Sequence, residues 1–156
     1  MIEKVNPSHP DKLADRIAGA IVDLAYQGNS NPRVAVEVLL GHGECSIIIE
    51  SNVFTNNNTT QKIQIENIVD RIAGIYDVHL YCYEQDANLS ANNGWGDNGI
   101  FKGEPLTDEE QMLSKIARRI YKAVPEDGKY ILDDDKLVVC QSNCKDEKII
   151  KNILTT

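Results

Sequence analysis

The sequence predicts an α+β domain, a two-layer sandwich in which helices cover one face of a mostly antiparallel sheet. Two observations predict it. Apolar residues recur at helical spacing in four segments, and segments with alternating valine and isoleucine lie between them. The resulting order is helix, two strands, helix, strand, long loop, helix, hairpin and helix. A chain of 156 residues is long enough to bury the core of such a domain.

The first half of the chain supplies the first five elements. An apolar stripe over residues 10–27 is followed by Gly28, which is typical of a helix that stops at a glycine. Residues 33–40 and 44–50 alternate on either side of a Gly-His-Gly turn and predict a β-hairpin. The remaining predictions here are a loop at 56–60, a helix at 65–76 and a strand at 78–84.

The second half begins with an asparagine- and glycine-rich stretch, residues 85–106, that keeps no period. A loop of this length is usually functional or disordered. The capping box Thr107-x-x-Glu110 opens a helix that runs to Val124. After Pro125 the segments KYIL and KLVVCQ predict a hairpin joined by three aspartates, and a short apolar-striped helix ends the chain. A chain of this length fits one domain, with at most a short appendage.

The composition limits the classes of partner that the chain can bind. The net charge of -8 argues against a nucleic acid, because phosphate backbones are bound mainly by lysine and arginine. There is no apolar leader and no run long enough to span a membrane, so the expected location is cytoplasmic.

The four cysteines, which lie mostly inside apolar runs, are expected to be small buried hydrophobic residues. They are Cys45, Cys82, Cys140 and Cys144.

The stretch NPSHPDKLAD at 6–15 places several titratable groups at the start of the first helix. One interpretation is structural: Ser8 or His9 caps the helix, Pro10 occupies its first position and Asp11 complements the helix dipole. The other is functional, because a helix N-terminus can receive a phosphate while Asp11 holds a metal ion. These ten residues alone leave both interpretations open.

Three separated motifs resemble one family when they are taken in order. They are HPDK at 9–12, RVAVE at 33–37 and GWGDNG at 94–99, with Glu50 closing the strand between the last two. In this order they resemble the N-terminal domain of S-adenosylmethionine synthetase, also called methionine adenosyltransferase. The segment PEDGK at 125–129 resembles the entry to the central domain of the same family. The resemblance therefore implies an N-terminal domain over 1–124 and a short hairpin-helix appendage over 125–156 that resembles the start of the central domain.

The resemblance implies a reaction in which the methionine sulfur attacks C5′ of ATP and tripolyphosphate leaves, with Mg²⁺ and K⁺ as cofactors. It implies that His9 is the catalytic residue and hydrogen-bonds the leaving oxygen, that Asp11 binds Mg²⁺ and that Glu37 belongs to the K⁺ site. The implied ATP-binding residues are His9, Lys12, Asp127, Gly128 and Lys129. The implied methionine-binding residues are Glu50, Gln85 and Asp97.

Members of this family build their sites between subunits that pack sheet against sheet. The resemblance therefore implies a homodimer, or a second chain that completes the site. The later part of the family sequence, which clamps the triphosphate, has no counterpart here. Two alternatives to an active enzyme follow: a non-catalytic subunit that supplies half a site, and a module that binds the nucleotide or methionine without turnover.

Overall fold

The computed structural model describes residues 1–85 and 104–155. Its strands form two three-stranded sheets in which three of the four strand pairings are antiparallel, so the predicted α+β class is confirmed. The strands belong to two sheets, whereas the element order suggested one. The described residues fall into two compact units. The first unit holds 1–12 and 104–155, and the second holds 13–85.

The second unit is built on the sheet order β2-β3-β4. The predicted hairpin is confirmed: β2 (Val34–Gly41) pairs antiparallel with β3 (Glu44–Ser51) through a turn at His42 and Gly43, both at positive φ. Helix α2 (Thr59–Ala73) then crosses over, so β4 (Asp77–Glu84) runs parallel to β3. The core lies between this sheet and the helices α1 (Pro10–Gly28) and α2, and includes Ile17, Ile21, Ile47, Ile49, Ile65 and Val69.

Helix α2 begins six residues before its predicted start at residue 65. The side chain of Asn58 accepts a hydrogen bond of 3.1 Å from the backbone N–H of Gln61 and so caps the helix. Thr59 and Thr60, predicted to be loop residues, therefore form the first turn. The apolar pattern missed this turn because it is exposed and polar.

The first unit is built on the fully antiparallel sheet β1-β5-β6, made of Ile2–Val5, Gly128–Asp133 and Lys136–Gln141. Strand β1 was not predicted, because four residues with a central Glu-Lys pair show no clear alternation. Helices α3 (Asp108–Ala123) and α4 (Glu147–Thr155) belong to the same unit as this sheet. The predicted capping box at Thr107 and Glu110 is confirmed at the start of α3. The buried core is Leu113, Ala117, Ile120, Tyr130 and Leu132.

The cysteines divide into two pairs. Cys45 and Cys82 are buried as predicted, and burial raises the pKa of both thiols. Cys140 is exposed and Cys144 half-buried, so the prediction was wrong for this pair. The alternation of β6 turns Val139 inward and Cys140 outward, and a short apolar run does not reveal which face is covered.

Within the described residues, no helix is both long enough and apolar enough to cross a bilayer. The division of the chain at residue 124 rests on the borders of the family's domains and stays a prediction.

Candidate functional site

The tip of α1 carries His9, Asp11 and Lys12. His9 caps the helix, because its Nδ1 accepts a hydrogen bond of 3.2 Å from the backbone N–H of Asp11. A ring nitrogen that accepts a hydrogen bond carries no proton, so the proton of the imidazole lies on Nε2. The structural and functional interpretations of this histidine are therefore compatible: Nδ1 caps the helix while Nε2 remains a donor.

The Asp11 carboxylate projects from this tip into solvent. Its side chain is 76% exposed, whereas that of His9 is 18% exposed. Asp11 Oδ2 lies 3.6 Å from His9 Nδ1, but the backbone hydrogen bond already uses that nitrogen as an acceptor. Two carboxylate oxygens at the positive end of a helix are thus accessible to a cation or to a cation–phosphate complex.

Asn6 ties the chain before this tip to the segment before β5. Its backbone N–H donates to the carbonyl of Gly128 at 3.0 Å, and its Nδ2 donates to the carbonyl of Glu126 at 2.7 Å. Nδ2 also donates to the hydroxyl of Tyr130 at 3.2 Å. Asn6 is 2% exposed and is therefore a buried polar side chain whose bonds are all internal. It fixes the helix tip next to residues 126–130.

Ser8 adds a second tie between the same segments. Its hydroxyl donates to the carbonyl of Pro125 at 3.2 Å and lies 3.2 Å from the hydroxyl of Tyr121, while its backbone N–H donates to Asn6 Oδ1 at 3.1 Å. The structure thus brings two of the predicted ATP-binding groups together in the first unit: the helix tip and the PEDGK segment.

Gly128 lies in the most crowded part of this arrangement. A Cβ atom here would stand 2.5 Å from Gln141 Oε1, 2.6 Å from the Tyr130 hydroxyl and 2.7 Å from Asn6 Nδ2. The Tyr130 hydroxyl donates to Gln141 Oε1 at 2.8 Å, and burial raises its pKa so that it stays protonated. Gly128 is needed for packing whether or not a nucleotide approaches its backbone.

Asp127 is held through its backbone. Its carbonyl accepts hydrogen bonds from the Ser142 N–H at 2.8 Å and from Gln141 Nε2 at 3.0 Å, and its side chain is half-buried. Sequence reasoning missed Asn6, Tyr130 and Gln141. An asparagine before a proline is a turn pattern and was the one local signal that could have singled out Asn6, but nothing local indicates its distant partners.

The side chain of Lys129 projects from β5 on the side away from the buried core. Its Nζ is 2.9 Å from the Glu3 carboxylate, and the hydrogen bond to Glu3, with the charge of Glu3, raises the lysine pKa. The negative charge of Asp11 acts in the same direction. Lys129 is therefore a firmly charged cation whose field reaches the carboxylate at the helix tip.

The second unit carries Glu37 and Glu50 on one face of its sheet. Glu37 is opposite Ile48, and Glu50 lies between Ala35 and Tyr83. The strand alternation turns both carboxylates away from the core, and Glu37 is exposed while Glu50 is half-buried. They are diagonal neighbours, about 7–8 Å apart at Cα.

Gln85 follows the last residue of β4. Its Oε1 is buried and has no hydrogen-bond partner among the described residues. A buried acceptor without a partner costs about 1–3 kcal/mol, so an incoming donor would be favoured. Asp97, the remaining predicted methionine ligand, lies outside the described residues.

The predicted site residues thus form two groups. The nucleotide group, which is His9, Asp11, Lys12, Asp127, Gly128 and Lys129, belongs to the first unit, and Glu37, Glu50 and Gln85 belong to the second. Each group occupies a defined place in its own unit. Their meeting in a shared cleft stays a prediction.

The face that carries Glu37 and Glu50 also exposes large apolar side chains. We call this surface the outer face; its apolar members are Leu39, Ile48, Tyr81 and Tyr83, with exposures of 73, 44, 50 and 56%. Ile48 pairs with Tyr81 across β3 and β4, and Leu39 is a diagonal neighbour of Ile48, so the apolar surface is contiguous. Contiguous patches of this kind mark interaction sites.

Residues 1–92 match the family described as "S-adenosylmethionine synthetase, N-terminal domain". That match covers more than half of the chain. The chain therefore belongs to the S-adenosylmethionine synthetase family and carries its N-terminal domain, as the ordered motifs predicted.

Individual relatives agree with this assignment. The S-adenosylmethionine synthase of Acholeplasma laidlawii is 30% identical over 132 residues, and that of Parvibaculum lavamentivorans is 31% identical over 150. These alignments cover 71 and 80% of this chain but only 34 and 37% of the relatives. The chain thus spans little more than a third of their length.

A solved structure resembles the fold. The "unusual S-adenosylmethionine synthetase" from Campylobacter jejuni superposes with a TM-score of 0.58 and 22% identity, over 98% of this chain and 51% of the other. At this identity the likeness concerns the fold.

Proposed function

We propose that this chain provides the N-terminal part of an S-adenosylmethionine synthetase site, binds Mg-ATP and methionine, and forms S-adenosylmethionine. The observation that carries the proposal is the arrangement in the first unit. A helix tip with an accessible carboxylate and an Nε2–H imidazole is tied by Asn6 and Ser8 to the PEDGK segment with its charged Lys129. Helix N-termini and nearby cations together favour a polyphosphate.

The proposed chemistry is a displacement at C5′ of ATP. A lone pair of the methionine sulfur forms the new S–C5′ bond while the C5′–O bond breaks, and its electron pair leaves on the tripolyphosphate. His9 donates from Nε2 to the departing oxygen and stabilises its developing charge. The cap at Nδ1 holds the tautomer and ring orientation that this donation requires.

The residues present fit the two implied cations. Asp11 offers exposed carboxylate oxygens, the hard donors that Mg²⁺ takes together with phosphate oxygens, and Glu37 offers a carboxylate for K⁺. When bound, Mg²⁺ would neutralise phosphate charge. Lys129 and Lys12 would contribute positive charge on the same side, which matters in a chain whose net charge is -8.

Glu50, Gln85 and Asp97 are proposed to receive methionine. A carboxylate suits the substrate ammonium, and the Oε1 of Gln85, which has no hydrogen-bond partner within residues 1–85 and 104–155, can accept a hydrogen bond from it. Glu50 is half-buried at the end of β3, one residue before the strand terminates. Such a position strengthens an ion pair relative to full exposure.

A second copy is proposed to cover the outer face of the second unit. Its contiguous apolar members and flanking carboxylates match an interface whose apolar centre has a charged rim. A homodimer would also be the simplest source of the groups that complete the site. The location proposed for the assembly is the cytoplasm.

The alternative function is a non-catalytic half-site subunit or a nucleotide- or methionine-binding module. The observation that favours it is length, because the aligned part is 34–42% of the first three relatives. The groups that clamp the triphosphate in this family lie in the part of the relatives that these alignments do not cover.

The test is synthesis of S-adenosylmethionine by the purified chain with ATP, methionine, Mg²⁺ and K⁺, followed by mass spectrometry. We expect product that depends on Asp11 and is lost in Asp11→Asn. The matched control is Asp23→Asn, since Asp23 is an exposed carboxylate further along the same helix. Circular dichroism of both variants checks that the fold is intact.

Three other outcomes separate the alternatives. Product in both variants would remove Asp11 from the site. No product, but ATP or methionine binding by calorimetry, would favour the binding module. Product that appears only after a second protein is added would favour the half-site subunit.

A further inference from the structure

The second unit contains a cluster of possible metal ligands that the proposed reaction does not use. Glu44 begins β3, Asp77 begins β4, and His79 follows two residues later. One ligand atom of each lies within 4.8 Å of those of the other two, and all three side chains are exposed. We propose that Glu44, Asp77 and His79 bind a divalent transition-metal ion of the Zn²⁺ type, separately from the Mg²⁺ and K⁺ of the proposed reaction.

The sheet register places these three groups together. Glu44 and Asp77 are directly opposite one another in the parallel β3–β4 ladder. His79 is on the same face as Asp77, at the end of the outer face away from Tyr83, and is paired with Ser46, a small residue. The Asp77 N–H donates to the carbonyl of Gly43 at 2.8 Å, which ties the start of β4 to the hairpin turn. The three Cα positions are therefore fixed by backbone pairing.

The distances suit a bound ion after small side-chain rotations. His79 Nε2 lies 2.6 Å from Glu44 Oε2 and 4.0 Å from Asp77 Oδ2. Ligands at the usual 2.0–2.2 Å from a tetrahedral ion are about 3.4 Å from one another, which is between these two values. Both carboxylates are more than half exposed, so they have room to rotate.

The donor set and charge select the kind of ion. Two carboxylates together with an imidazole nitrogen suit Zn²⁺ and similar first-row ions, whereas Mg²⁺ and K⁺ prefer oxygen alone. Within the described residues, Glu44 and Asp77 both have His79 as their ion-pair partner. A dication would neutralise both charges and leave further coordination positions to water.

The test compares the responses of His79 and His42, two of the three histidines, to added Zn²⁺. Nitrogen-15 spectra of the imidazoles are recorded for the full chain while free Zn²⁺ is raised in a zinc-buffered solution. We expect the His79 Nε2 resonance to shift with saturation at one ion per chain. Because His42 is an exposed histidine in the adjacent turn, its response reports ordinary binding to a single imidazole.

Variants then identify the ligands. Asp77→Asn and Glu44→Gln should each raise the Zn²⁺ dissociation constant at His79 at least tenfold. Glu84→Gln, a change of an exposed carboxylate on the same strand, should leave it within twofold. An unchanged constant in both ligand variants, or a His79 response no stronger than that of His42, would overturn the site.

Discussion

Asn6 and Glu126, which are 120 positions apart in the sequence, are joined by a hydrogen bond of 2.7 Å from the Asn6 Nδ2 to the Glu126 carbonyl. With the bond to Tyr130, it makes Asn6 a buried connection between the helix tip and β5. Asn6→Ala should lower the free energy of unfolding by about 2–4 kcal/mol, because it leaves buried partners unpaired. Urea denaturation followed by circular dichroism measures the loss.

The control for this change is Asn31→Ala. Asn31 is exposed, and its side chain makes none of the hydrogen bonds found within the described residues. Its substitution should change stability by less than about 0.5 kcal/mol. Equal losses in the two variants would contradict a structural role for Asn6.

Gly128 gives the second prediction. In Gly128→Ala the new methyl would stand within 2.7 Å of three polar atoms that already bond one another. We expect a loss of about 1–3 kcal/mol, since overpacking must push these atoms apart. The matched control is Gly41→Ala, where a Cβ meets nothing within 4 Å. A stable Gly128→Ala chain that has lost only ATP binding would instead assign the glycine to the ligand.

Local patterns predicted most of the fold. The stripes of α1 and α3, the hairpin β2–β3 and the capping box at Thr107 all depend on neighbours in sequence, and each is present. The division of strands into two sheets was not predictable in the same way. It depends on the pairing of Val5 with Lys129, and such a distant contact leaves no local trace in a strand of four residues.

The candidate site shows the same limit. The dual character of His9, which caps with Nδ1 and leaves Nε2 as a donor, was present in the sequence as two competing interpretations. In the structure the two interpretations are compatible, because capping uses Nδ1 and leaves Nε2 for the proposed reaction. The cluster of Glu44, Asp77 and His79 was invisible, because residues 33 positions apart become neighbours only through the parallel register.

Glu110 gives a prediction of pH dependence. The backbone N–H groups of Thr107 and Leu106 donate to its carboxylate at 3.0 and 2.8 Å and lower its pKa. A group with a lowered folded pKa stabilises fully above the ordinary glutamate value of about 4.3 and loses this effect as pH falls through the folded pKa. The stability advantage of the wild type over Glu110→Gln should therefore be constant near neutral pH and vanish in acid.

Urea midpoints measured between pH 3 and 7 test this behaviour. Glu109→Gln is the control, because Glu109 shares the helix dipole of the first turn but is not the capping-box residue. A difference between wild type and Glu110→Gln that persists at the acid end would mean that the carboxylate charge is not the source of the effect.

The last prediction concerns the outer face. Leu39 is 73% exposed at the edge of a contiguous apolar surface that continues through Ile48 to Tyr81. If a second copy covers this surface, Leu39→Arg buries an unpaired charge in the interface. The dimer dissociation constant should then rise at least about 100-fold, the scale of an interface hot spot. Sedimentation equilibrium over a range of protein concentrations measures it.

Ile75→Arg separates this effect from a general change in charge or solubility. Ile75 is 94% exposed in the turn between α2 and β4, outside the outer face, so its substitution adds the same charge without entering the proposed interface. Dimers should persist in Ile75→Arg and dissociate in Leu39→Arg. Because association by apolar contact requires the contiguous surface rather than any single exposed residue, equal behaviour of the two variants would exclude the outer face as the contact between copies.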